Sequence, residues 1–114
     1  MMEIGIEDMR NNESTRRWFS SLLDLWGPTG VRPGLLETLG TFCARVGKTP
    51  DEIIDECLRA TRGGDTFVLR TRARKQYMEQ IELFETQTAS RDQANVVRSF
   101  FIHNGIAMNP SILA

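Results

Sequence analysis

The sequence predicts an all-α protein, a compact bundle of four to five helices, on three observations. Apolar residues recur at three- and four-residue intervals in five separate runs, the periodicity of a helix face. Glycines punctuate these runs: Gly27-Pro28, Gly47, Gly63-Gly64 and Gly105 each follow one. Two runs also open on capping signals, Thr49-Pro50-Asp51-Glu52 and Ser90 with Gln93 three residues on.

At 114 residues the chain is one domain, long enough to bury a core without disulfides or a metal. Apolar residues make up 40%, charged residues 25%, and the formal net charge is -1, which excludes a highly basic tail or a disordered acidic segment. Nothing in the chain reads as a secretion signal or as a span of about 20 apolar residues. Cys43 and Cys57 fall on apolar helical faces, so the expectation is a cytoplasmic protein with reduced thiols packed as small core residues.

Residues 1–12 show no clear period and are expected to form a loose or weakly helical lead-in to a domain spanning 13–108. The first helix runs from Glu13 to Gly27-Pro28, with Trp18, Leu22 and Leu25 on its buried face and Phe19, Leu23 and Trp26 beside them. Pro33 suits the first position of the second helix, where its missing N–H needs no partner. That helix carries Leu35, Leu39, Phe42 and Val46 inward and ends at Gly47. Gly40 within it costs roughly 1 kcal/mol relative to alanine. Either a neighbouring helix approaches closely there or the helix is simply less stable.

The third helix begins at Thr49, turns Ile54, Cys57 and Leu58 inward, and breaks at Gly63-Gly64, with Arg59 and Arg62 favourable near its C-terminus. A fourth is placed from Thr66 to Thr86, capped by Asp65, with Leu69, Ala73, Tyr77, Ile81 and Phe84 buried. Its charges run against the helix dipole: Arg70, Arg72, Arg74 and Lys75 crowd the first half, Glu79, Glu82 and Glu85 the second. From Arg59 to Lys75 six cations face one acid, Asp65, within a chain of net charge -1. Such a segment at a helix start suits phosphate groups. The alternative is a solvated charged face with intrahelical pairs from Arg74 or Lys75 to Glu79.

The last helix spans Ser90 to Asn104. Ala94, Val97 and Phe101, with Phe100 alongside, make its apolar stripe, while Arg91, Asn95 and Arg98 share another face. Gly105 stops it and lets Ile106 fold back onto Phe101 in a Schellman ending.

No Gly-rich phosphate loop, zinc pattern or convergent set of acids and bases is present in the sequence, so the expectation is a non-enzymatic protein with no metal and no cofactor. Tyr77 reads as a core or core-edge residue, and His103 as a group beside a helix C-terminus.

The stretch LETLGTFCARVGKTPDEIIDECLR, then a long helix, then SRDQANVVRSFFIHNGIAMNP, resembles the SAM-like core-binding domain of tyrosine recombinases of the phage-integrase type over most of the chain. The Gly47–Glu52 turn and the Val97–Phe101 core ending in Asn104-Gly105-Ile106 carry most of the likeness. Asn109-Pro110, in a tail of residues 109–114, resembles the passage into a catalytic domain absent from this chain. The resemblance implies a helical bundle acting as half of a clamp on double-stranded DNA in site-specific recombination, beside a catalytic domain or other protomers. The DNA contacts it implies are Arg70, Arg72, Arg74 and Lys75 on the long helix and Ser90, Arg91, Asn95 and Arg98 on the last. Arginines would mainly hold phosphates, and Asn95 is the best placed to reach a base edge. The competing expectation is a protein–protein interaction module on a SAM-like bundle, with Trp18, Phe19 and Trp26 as its contact residues, since the near-neutral charge is unusual for a tight DNA binder.

Overall fold

Helix starts fall where side-chain oxygens meet backbone N–H groups that have no partner inside the helix. In the computed structural model, which describes residues 6–60 and 67–108, Thr49 Oγ1 accepts from the Glu52 N–H at 3.1 Å and Glu52 Oε1 accepts from the Thr49 N–H at 2.8 Å. This complete capping box opens α4, Pro50–Cys57. Ser90 Oγ accepts from the Gln93 N–H at 3.1 Å and opens α6, Arg91–Ile102; among the described residues only the serine half of the predicted box forms.

Preceding them in the chain are α1, Ile6–Arg10, α2, Glu13–Trp26, a 3-10 turn at Gly27–Gly30, and α3, Leu35–Val46. A two-stranded antiparallel hairpin, β1 at Leu58–Ala60 and β2 at Phe67–Leu69, separates α4 from α5, Thr71–Thr88. The fold is all-α apart from this hairpin, and no helix among the described residues is long and apolar enough to cross a membrane.

The core lies where α2, α3, α5 and α6 converge. Trp18 meets Phe100 edge to face at 5.6 Å, Phe42 meets Phe84 at 5.6 Å, and Phe101 touches Phe100 and Tyr77 at 5.6 Å each. Trp18, Phe42, Phe84, Phe100 and Phe101 are all essentially inaccessible to water, each such burial stabilising by about 1.5–3 kcal/mol. The indole N–H of Trp18 is satisfied by Ser99 Oγ at 3.1 Å. α6 ends in the predicted Schellman geometry: Gly105, at φ +86°, donates to the Ile102 carbonyl, and Ile106 donates back to the Phe101 carbonyl, both at 3.0 Å. Ile106 is then fully buried.

Several expectations are corrected. The lead-in holds one short helix, α1, in keeping with its weakly helical reading, but its Met9 is fully buried, so it is not loose and packing begins before Glu13. A Cβ on Gly40 would sit 3.1 Å from the Met9 sulfur, which selects the close-approach reading of that glycine. Leu25 and Trp26 are 63% and 66% exposed rather than buried, because Leu22 is the last buried residue of α2 and the final turn runs past the Ser21–His103 contact at the end of α6. α3 begins at Leu35, two residues after Pro33.

The larger correction concerns the third and fourth predicted helices. α4 stops at Cys57, and Leu58, Arg59 and Ala60 pair with Leu69, Val68 and Phe67 instead of continuing it. Leu69 is therefore a strand residue, and α5 starts five residues later than Thr66. The proposed cap Asp65, Arg62 and the Gly63-Gly64 break lie outside the described residues, as does the 109–114 tail.

Candidate nucleic-acid interface

The hairpin gathers cations that the predicted helices would have spread along two axes. Arg59 stands on β1 opposite Val68, Arg70 follows β2 directly, and Arg72, Arg74 and Lys75 lie in the first turns of α5. The Arg70 N–H donates to the Cys57 carbonyl at 2.7 Å, which joins the base of the hairpin to the C-terminus of α4. Between Leu58 and Met78 the described residues include five cations and no acid. Arg59, Arg70, Arg72 and Lys75 are exposed, and no carboxylate among the described residues forms an ion pair with them. Neither intrahelical pair to Glu79 forms among the described residues. Arg74 is only half exposed, and its Nε donates to the Ala107 carbonyl at 2.6 Å, tying the segment after α6 to the start of α5.

The last-helix candidates fare differently. Arg98 Nη2 lies 3.2 Å from Glu85 Oε1, Arg91 Nε lies 3.9 Å from Glu85 Oε2, and Arg98 Nη1 donates to Asn95 Oδ1 at 2.9 Å. The Arg98 side chain is 16% exposed. Ser90 is occupied as the N-cap of α6. Glu85 thus stitches α5 to α6 mainly through Arg98, while Arg91, whose side chain is 64% exposed, and Asn95 stay at the surface. Along α5, Glu85 lies 13 residues beyond Arg72, roughly 20 Å at the helical rise. The eight predicted residues therefore separate into a hairpin cluster and an α6 cluster.

Residues outside the cation clusters have structural partners. Tyr77 is 6% exposed and its hydroxyl donates to Glu56 Oε1 at 2.8 Å; burial first, then the Glu56 carboxylate, push its pKa well above the ordinary range. Glu56 also meets Lys48 at 3.1 Å. Tyr77 and Glu56 line a cleft of about 410 Å³ with Arg45, Val46, Gln76, Glu79 and Gln80, a wall of mixed charge. Cys43 and Cys57 are free and fully buried, and burial pushes their thiols up to about 12 and about 11, so both stay protonated. His103 lies at the C-cap of α6, with Nδ1 2.6 Å from Ser21 Oγ. No three His, Cys, Asp or Glu side chains among the described residues converge as a metal-binding group.

Reasoning from spacing missed one polar centre. Asp51, in the first turn of α4, accepts from the Ser14 hydroxyl at 2.6 Å, the Ser14 N–H at 2.8 Å and the Glu13 N–H at 3.2 Å, and so caps α2 from another helix. In return Asn12 Oδ1 accepts from the Asp51 N–H at 2.9 Å. Burial works against the charged form of Asp51, but the hydrogen bonds from Ser14 and Glu13 and the nearby Arg17 outweigh it and hold its pKa below the ordinary 3.8. The only sequence signal was an acid in the first turn of a helix whose capping box is made by its neighbour Glu52.

Compared with protein-family models, with curated proteins and with solved structures, the chain matches none.

Proposed function

We propose that the protein is a non-catalytic, cytoplasmic module that binds double-stranded DNA, gripping it as half of a clamp in the manner of the tyrosine-recombinase core-binding domains its sequence resembles. One observation carries this reading: the hairpin and the start of α5 bring Arg59, Arg70, Arg72, Arg74 and Lys75 onto adjoining elements, with no carboxylate among the described residues of that stretch. Cations so placed release the counterions condensed on DNA, and the N–H groups at the start of α5 add to the field. The grip centres on these residues, because Arg98 is paired with Glu85 and largely buried, and Glu85 also offsets part of the charge of Arg91. With so few phosphate contacts, affinity is weak and steeply salt-dependent.

Fluorescence anisotropy with a labelled duplex tests this. Arg70→Ala/Arg72→Ala should weaken binding about tenfold and lower the salt slope by about 2, whereas Arg91→Ala/Arg98→Ala should leave both nearly unchanged. Absence of binding at low salt, or indifference to the first pair, overturns the reading.

The last two turns of α2 favour a second one. Leu23, Leu25 and Trp26 are 47%, 63% and 66% exposed, an apolar surface suited to docking another protomer or a further domain. Sedimentation that depends on protein concentration, and loses that dependence in Trp26→Ser, would support an interaction module in place of a DNA-binding one.

A further inference from the structure

We propose that the hairpin enters the major groove of the duplex as a two-stranded ribbon, with Arg59, Val68 and Arg70 as its base-reading face; this deepens the DNA-binding reading and rests on it. Residues paired across an antiparallel ladder share a face, and residues two apart on a strand share it too. Arg59 pairs with Val68, and Arg70 lies two residues beyond Val68, so all three belong to one side of the ribbon. The neighbouring pair, Leu58 with Leu69, belongs to the other side, where Leu58 packs against the core.

Val68 is 57% exposed between two exposed arginines, an apolar β-branched side chain with no core to fill. A major groove supplies partners for all three: guanine O6 and N7 accept the two donors of a guanidinium, and the thymine methyl packs against an apolar side chain. Dimensions agree as well. A two-stranded ribbon fits a groove about 12 Å wide, and the spacing from Val68 to Arg70, about 6.7 Å along a strand, matches about two base-pair steps.

An isolated two-stranded hairpin is only marginally stable in water. Here β1 follows α4 without a connecting residue, β2 is one residue from α5, and the Arg70 N–H to Cys57 carbonyl bond closes the base. The ribbon is thereby held between α4 and α5, and Arg72 and Lys75, in the next turn, are placed for the flanking phosphates.

Methylation interference on the full chain tests this, using a labelled duplex with and without N7-methylated guanines, at about 50 mM salt. Methylation fills the major-groove edge without touching the phosphates, so it should weaken wild-type binding about fivefold or more. Arg59→Lys keeps the charge and loses the two-donor fork, and it should bind the unmodified duplex about fivefold more weakly and lose sensitivity to methylation. Val68→Ala should lose preference for thymine over uracil in the same duplex. Equal binding of methylated and plain duplex, with Arg59→Lys indistinguishable from wild type, overturns the ribbon while leaving a phosphate grip intact. No binding to any duplex, or binding to anionic vesicles alone, removes the DNA-binding reading and the ribbon with it.

Discussion

The arginines of α6 and those of the hairpin end are the same residue type in one small chain, yet the structure uses them in opposite ways. Arg98 is largely buried against Glu85 and joins two helices, with Arg91 more loosely on the same carboxylate; Arg59, Arg70 and Arg72 face no carboxylate among the described residues and stay exposed. The difference teaches that availability for a polyanion is decided by what stands across from a cation, not by its position along a helix. A net charge of -1 says nothing about either cluster, because it sums the whole chain and not the local balance of cations and acids.

The largest expected effect comes from extending the comparison to the other engaged polar centre. Asp51→Ala removes the cap on α2 and should lower stability in urea unfolding by about 2 kcal/mol, without changing DNA affinity. The same carboxylate sets a pH signature. Its folded pKa lies below 3.8, so its contribution is fully present above that value and is lost as pH falls through the folded pKa; Asp51→Asn should flatten this part of the acid-unfolding curve.

Next in size is Arg98→Ala, expected to cost about 1.5 kcal/mol in thermal unfolding because it leaves Glu85 half-buried and underpaired. Arg72→Ala should move stability by less than about 0.5 kcal/mol while weakening binding to duplex, and reversal of these two results would break the contrast. Glu85→Gln should sharpen it: stability falls by about 1 kcal/mol as the stitch weakens, and DNA affinity rises as Arg91 and Arg98 lose their counter-charge. A small stabilising effect concerns Ala89, which ends α5 in the left-handed region at φ +52°. Ala89→Gly relieves that conformation and should add about 0.5 kcal/mol, measurable as a higher urea midpoint.

Legibility in the sequence followed the distance over which each signal acts. The box at Thr49 and Glu52, the cap at Ser90 and the stop at Gly105 are complete within a few residues, and all were readable. The apolar faces of α3, α5 and α6 were readable too, as was the close approach at Gly40 as one of two alternatives. The hairpin was not. Its strands are three residues each, too short to display alternation, and Leu58-Arg59-Ala60 extends a helical pattern without a visible break. The candidate site suffered accordingly: its α5 members stay together, but Arg59 joins them only through strand pairing. Glu85 was out of reach for a different reason. It meets Arg98 across 13 positions and two helices, beyond the range of any i,i+4 rule.

The exchange between Asn12 and Asp51 binds two helix starts that are 37 or more residues apart in the chain. Neither first turn can open alone, since fraying of α2 strips the carboxylate of its donors and fraying of α4 withdraws that carboxylate from α2. Amide hydrogens at Glu13, Ser14 and Asp51 should therefore exchange with deuterium as one cooperative unit, sharing a single opening free energy.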